Sequence, residues 1–198
     1  MTPRAQRWVV GIALYSGAVL LGLGTAWWAL KHSPWSNNTV TVGAWKANMR
    51  AGSPDADMYT RATVALNALL ALGRDETMYF IATHDDAGDP LRSACTYRIE
   101  GAPPQARWWS ITAYAQDLFL FDAPNKQFSL NGSTAVLDAR GYFHMTTGPR
   151  DGGAGFWLPT PGATGVVLAL RLYNPHPALQ AAPSSLQAPT IRREGGCP

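Results

Sequence analysis

The chain has 198 residues, 46% of them apolar and only 15% charged, which is low for a fully soluble protein. That length accommodates a membrane segment plus one domain of ordinary size. The net charge is +3, but Arg4, Arg7 and Lys31 flank an apolar stretch and the other 13 basic residues are matched by 13 acidic ones. A neutral domain with interspersed signs excludes the electrostatic footprint of a nucleic-acid binder.

Residues 8–30 form a run of 23 without a charge, about 34 Å as a helix at ~1.5 Å per residue. This spans a hydrocarbon core of roughly 30 Å. Trp8, Trp27 and Trp28 stand at its two ends as interfacial anchors. Arg4, Arg7 and the terminal amine outweigh Lys31, so residues 1–7 are expected in the cytoplasm and the rest outside it. A cleaved signal peptide would need a shorter core and small residues before the cut. Here Trp27 and Trp28 occupy that place, which favours an uncleaved signal-anchor. Ala18, Gly22 and Ala26, spaced by four, make a small-residue stripe suited to packing against another helix. The alternative is a helix that simply faces lipid.

Residues 31–54 read as a linker holding a first short strand, Thr39-Val40-Thr41-Val42. A helix is expected over 55–72, after Pro54, capped by Asp55 and stopped by Gly73. Its packed face would be Tyr59, Thr63, Leu66 and Leu70, with Ala62 and Leu69 nearby. From Thr77 the period changes to that of strands, expected at 78–82, 94–99, 108–114, 118–121, 128–130, 135–137, 142–145 and 166–173. Fifteen prolines and 19 glycines supply the turns between them. The expected architecture is mainly β, a jelly-roll-like β-sandwich over 55–176 with one packed leading helix, followed by an extended tail over 177–198.

Cys95 and Cys197 suit an oxidising compartment. Their pairing would close a loop of about 100 residues and tie down a Pro-rich tail, with stabilisation of order 4.7 kcal/mol in the chain-entropy model. Two free thiols are the alternative, since pairing is not readable from sequence.

Several motifs then fall into register. Asp57-Met58-Tyr59-Thr60-Arg61-Ala62 is followed by Glu76-Thr77-Met78-Tyr79, Tyr97, Trp108-Trp109-Ser110-Ile111-Thr112-Ala113-Tyr114, Trp157-Leu158-Pro159 and Leu170-Arg171-Leu172-Tyr173-Asn174-Pro175. Over about 42–197 the chain resembles the bacterial domain-of-unknown-function family 1214 in its short, membrane-anchored form, including the Pro-x-Ile-x-Arg stretch and Cys within 189–197. The resemblance implies a compact β-sandwich in the bacterial envelope, placing the domain in the periplasm on an inner-membrane anchor. It also implies a companion family 1254 protein as a candidate partner, and it supplies no established activity and no cofactor.

Catalytic constellations are scarce. No Gly-x-Ser-x-Gly elbow exists in the domain, and Ser110 falls mid-strand, where its hydroxyl serves structure. His32, His84, His144 and His176 are scattered, giving no Cys/His ligand set. The His84-Asp85-Asp86 and Asp89 segment reads as a strand-connecting turn in preference to a cation loop. Arg61 and Glu76 are expected to form a buried ion pair fixing the helix to the sheet, with an anion-anchoring Arg61 as the alternative. Trp108 and Trp109 are adjacent in a strand, so only one can enter the core and the other is outward.

These readings give a non-enzymatic envelope protein that binds a partner protein or ligand. The candidate binding residues are Arg61, Glu76, Tyr79, Trp109, Tyr114, Trp157, Arg171 and Tyr173. One alternative is an accessory single-helix subunit of a larger membrane complex, docked through Ala18, Gly22 and Ala26. The other is an envelope enzyme acting on glycans in a cleft near Arg61, Glu76, Tyr79 and Trp109, an analogy from fold alone.

Overall fold

Apolar side chains at every second position of three strands, with mixed residues between them, set the architecture. The structure, a computed structural model, describes residues 3–32, 38–66, 71–153, 155–162, 164–195 and 197. Helix α1 (Pro3–His32) leads, and its segment Gln6–Ala29 is long and apolar enough to cross a membrane. The strands are β1 (Thr39–Val42), β2 (Trp45–Asn48), β3 (Thr77–Ala82), β4 (Thr96–Gly101), β5 (Ala106–Ala115), β6 (Ser129–Asn131), β7 (Phe143–Gly148), β8 (Trp157–Pro159), β9 (Val166–Pro175) and β10 (Thr190–Glu194). Helix α2 (Met58–Leu66) precedes β3, and a short helix α3 (Pro177–Ala181) follows β9.

Two sheets result, a six-stranded one in the order β1-β2-β3-β9-β5-β6 and a four-stranded one in the order β10-β4-β7-β8. Every described pair is antiparallel except β7 with β8. The large sheet turns Trp45, Phe80, Trp109, Ile111, Leu168, Leu170 and Leu172 inward, and the small one Tyr97, Ile99, Phe143, Met145, Leu158 and Ile191. All belong to one buried cluster. Trp109 and Phe143 stack across it, ring centroids 4.8 Å apart. The chain is therefore mainly β, two sheets closing on one core, as the strand pattern predicts.

Cys95, just ahead of β4, is disulfide-bonded to Cys197 beyond β10, with Cα atoms 4.9 Å apart. The bond fastens the end of the chain beside the β4–β10 pair, whose register sets Thr190 against Glu100 and Glu194 against Thr96. Residues 177–198, read as an extended tail, thus carry α3, a 3-10 turn and an edge strand. Trp45 reinforces the closure, its buried indole N–H donating to the Pro189 carbonyl at 2.7 Å.

The leading helix differs from its expected form. Its cap is Asp57, whose carboxylate accepts from the Thr60 backbone N–H (2.9 Å) and hydroxyl (3.1 Å), while Asp55 lies in the turn before it. The Thr60 N–H also holds the Asp57 carboxyl below its usual pKa. Of the expected packed face, Thr63 and Leu66 are exposed and Tyr59 and Ala62 half-buried, whereas Thr60 is buried. Apolar Ala62, Val64, Ala65 and Leu66 surround the helix, so periodicity selects no face. Leu69 and Leu70 lie outside the described residues.

The strands expected at 118–121 and 135–137 contract to single bridges, Tyr114 with Leu120 and Leu137 with Phe143. Leu118 adopts φ 68° and Asp117 accepts from the Phe119 N–H, so the chain reverses immediately after β5.

Candidate functional site

The outward face of the large sheet collects most of the aromatic and cationic side chains singled out from sequence. In β5, Trp109, Ile111 and Ala113 enter the core, so Trp108, Ser110, Thr112 and Tyr114 point away from it. Register places Trp108 opposite Tyr173, Ser110 opposite Arg171 and Tyr114 opposite Val167 on β9. On the other side of β9, Tyr79 lies opposite Arg171 and Thr77 opposite Tyr173. The edge strand β6 sets Asn131 against Ser110 and Ser129 against Thr112. One row across four strands is therefore Tyr79, Arg171, Ser110 and Asn131, beside a second row of Thr77, Tyr173 and Trp108.

Arg171 is half-buried at the centre of this face. Its guanidinium donates to the Thr112 hydroxyl (3.3 Å) and the Tyr114 phenol oxygen (2.7 Å), and it sits 5.4 Å from the Tyr114 ring centroid. Among the described residues the ion pairs are Arg98–Glu194, Arg140–Asp138, His144 with Glu100 and Asp138, and Arg193–Asp89; Arg171 takes part in none. The outward strand positions carry Lys46 and Arg171 as their charges and no carboxylate. Ser110 and Thr112, 4% and 6% exposed, lie sunk between the larger side chains, while Trp108 stands 37% exposed. Its ring packs against Tyr173 with centroids 5.2 Å apart and planes at 58°, and its N–H donates to Ser133 at 3.3 Å. Thr77, 2% exposed beside Tyr173, keeps a hydroxyl with no hydrogen-bond partner.

Beyond Tyr114 and Val167 the face runs into a groove of about 670 Å³ bordered by Thr83, His84, Arg92, Gln116, Gly165 and Val167. Val167, an outward position of β9, is shared by the face and the groove.

The remaining predicted residues lie elsewhere. Trp109 is the core member of the tandem pair and Trp108 the outward one. Polar Ser110 and Thr112 in phase with Trp108, against apolar Ile111 and Ala113 in phase with Trp109, are the sequence signal that assigns them. Trp157 is on β8 of the small sheet, its N–H donating to the Gly148 carbonyl at 3.1 Å. The expected buried Arg61–Glu76 pair is not formed. Arg61 is exposed and folds back on its own helix entry, donating to the carbonyls of Ala56 (2.8 Å) and Pro54 (2.7 Å). Glu76 is exposed in the turn before β3, and its backbone carbonyl accepts from the Asn174 N–H. A cleft built from Arg61, Glu76, Tyr79 and Trp109 is thus divided among a helix start, a turn and two faces of the sheet. On α1, Ala18, Gly22 and Ala26 are exposed, and a Cβ at Gly22 would meet nothing within 4 Å.

Several acidic side chains are engaged away from the strand positions of this face. Asp85 accepts from the Ala87 and Asp89 N–H groups, Asp86 from the Ile191 N–H, and Asp89 pairs with Arg193 at 2.6 Å, so the 84–90 segment is a built turn. On the small sheet, His144 lies between Glu100 (3.2 Å) and Asp138 (3.0 Å). The Tyr142 backbone N–H, then His144 and Arg140, hold the Asp138 carboxyl far below the usual carboxylate range. Burial raises the Tyr97 phenol, whose oxygen accepts from the Arg92 N–H at 2.9 Å. Among the described residues no three His, Cys, Asp or Glu side chains are grouped to hold a metal ion.

A family model described as "Protein of unknown function (DUF1214)" matches residues 76–177, which contain β3 through β9. No curated protein matches the chain. Among solved structures the fold is similar to that of the VPA0106 protein from Vibrio parahaemolyticus, with a TM-score of 0.59 and 22% identity over 71% of this chain and 36% of that one. An uncharacterized protein from Burkholderia cenocepacia gives a TM-score of 0.46 and 17% identity over 60% of this chain and 29% of that one. The chain spans about a third of the length of these proteins.

Proposed function

The chain belongs to the DUF1214 family, and from that premise we propose that it is a single-pass inner-membrane protein whose periplasmic sandwich binds a partner protein or envelope ligand without acting as an enzyme. The observation that carries this reading is the outward face of the large sheet, where the side-chain partners of Arg171 among the described residues are two hydroxyls and Trp108 is 37% exposed. Side chains that served only to fill the domain would be inside it, as Trp109 is. An exposed Trp108 packed on half-buried Tyr173, beside a guanidinium without a counter-ion among the described residues, is a surface suited to being covered. The anchoring half of the proposal is supported by the 24-residue apolar segment and by the excess of positive charge on its amino side. The Cys95–Cys197 bond supports an oxidising compartment.

Photo-crosslinking in intact membranes tests the binding surface. A benzophenone side chain at position 79 or 108 is expected to trap a discrete adduct, and one at position 98 on the small sheet is expected to trap none. The mass of the adduct then distinguishes a companion family 1254 protein, a larger complex and a non-protein ligand. Absence of adducts at both 79 and 108 overturns the proposal.

A further inference from the structure

The geometry points to a carboxylate-bearing saccharide chain as the ligand of this face, an inference that rests on the face being the binding surface. Arg171 commits donors to Thr112 and Tyr114, and neither acceptor is charged. A guanidinium presents five N–H donors in a planar fork that matches a carboxylate edge-on. The two hydroxyls fix the orientation of that fork and leave the charge to be met from outside. No carboxylate occupies an outward strand position of the sheet, whereas Lys46 does, and Arg92 borders the adjoining groove. An anionic ligand therefore meets no like charge at these strand positions.

Saccharide chemistry follows from the neighbours of Arg171. Trp108, inclined against Tyr173, offers an aromatic face of the kind on which the apolar side of a sugar ring settles. Ser129 and Asn131, half-buried on β6, supply hydroxyl and amide groups within the same rows, suited to ring hydroxyls. Arg171, Tyr173 and Trp108 lie on β9 and β5, strands already paired on both sides. An extended peptide would instead add to a free strand edge through its backbone. Length argues for a chain over a single sugar. From Tyr173 to Val167 the face runs six residues, about 20 Å at ~3.3 Å per residue, and the groove with Arg92 continues it.

The test uses the full chain in detergent micelles with two probes, oligogalacturonate and its fully methyl-esterified counterpart. They share rings and linkages and differ in charge. Titration calorimetry at low ionic strength is expected to show the acid binding at least about tenfold more tightly than the ester, the size of one charge-assisted contact. Arg171→Gln should abolish that preference and Arg171→Lys should keep part of it, while Trp108→Ala weakens both probes about equally. Unchanged thermal unfolding of each variant shows that the fold is retained. Equal affinity for acid and ester, or binding of neither, overturns the inference. Preferential binding of polyglutamate through Arg171 also overturns it, assigning the face to an acidic polypeptide. In these cases adducts at positions 79 and 108 keep the face as a binding surface, and their absence removes that reading as well.

Discussion

Asp138 illustrates how a single side chain can organise a surface. One carboxylate oxygen caps the 138–142 turn by accepting from the Arg140 and Tyr142 N–H groups, and the other meets His144. Its pKa is depressed in the folded chain, so the unfolded chain binds more protons through the ordinary carboxylate range of about 4. The stabilisation is complete above that range and is lost as pH falls through the folded value. Asp138→Asn is therefore expected to lower the denaturant midpoint at pH 7, with the gap to wild type narrowing at pH 3. An equal gap at both would refute this. The tandem Trp108 and Trp109 show what sequence allows at this scale. That one faces outward follows from strand geometry alone, and the phase of Ser110 and Thr112 decides which. That no outward strand position around Arg171 carries a carboxylate was not readable, because it depends on β3, β5, β6 and β9 converging from distant parts of the chain.

Among the elements, β4 and β7 approach so closely that a Cβ on Gly148 would lie 2.8 Å from the Thr96 Cα and 2.9 Å from the Cys95 carbonyl oxygen. Both obstacles are backbone and cannot swing aside. Gly148→Ala is expected to cost about 1–3 kcal/mol, the usual penalty for overpacking, read as a lower midpoint in chemical denaturation. The neighbouring disulfide acts mainly on the unfolded chain. Cys197→Ser should cost about 2–5 kcal/mol, and the β10 amides should exchange fastest among the small-sheet strands. Unaltered exchange in β10 would show that its hydrogen bonds to β4 suffice. The long strands β3, β5 and β9 were legible because each alternates over six or more residues with large inward side chains. The edge strands of the small sheet, β8 and β10, were not. In β10 only Ile191 is fully buried, and its neighbours Arg192 and Arg193 read as a solvated tail. Arg61 misled for a related reason, since opposite charges near in sequence order invited a pair while the helix entry offered nearer carbonyls.

At the scale of the whole molecule, composition already separated a greasy leader from a neutral β domain, and the structure keeps that division in α1 and the two sheets. If α1 is retained as an anchor, the protein should stay with membranes after alkaline carbonate extraction. Protease added outside spheroplasts should then digest the domain but spare a fragment containing residues 1–30. Release by carbonate, or a mature chain beginning after residue 30, would contradict the anchored reading. What remained hidden in the sequence was the way the last strand returns to the fourth, because no local pattern records a partner so far away.

That return imposes an order on assembly. Thr190 meets Glu100, 90 residues earlier in the chain, and at ~5–20 residues per second the ribosome needs of order 5–20 s to make the interval. For that time β4 waits with one margin unpaired and Cys95 without its mate. A nascent neighbour could zip onto the margin, or a stray thiol could capture the cysteine, before the proper strand arrives. Crowded synthesis is thus expected to yield mixed-disulfide dimers through Cys95, a liability that an oxidoreductase working during export would relieve.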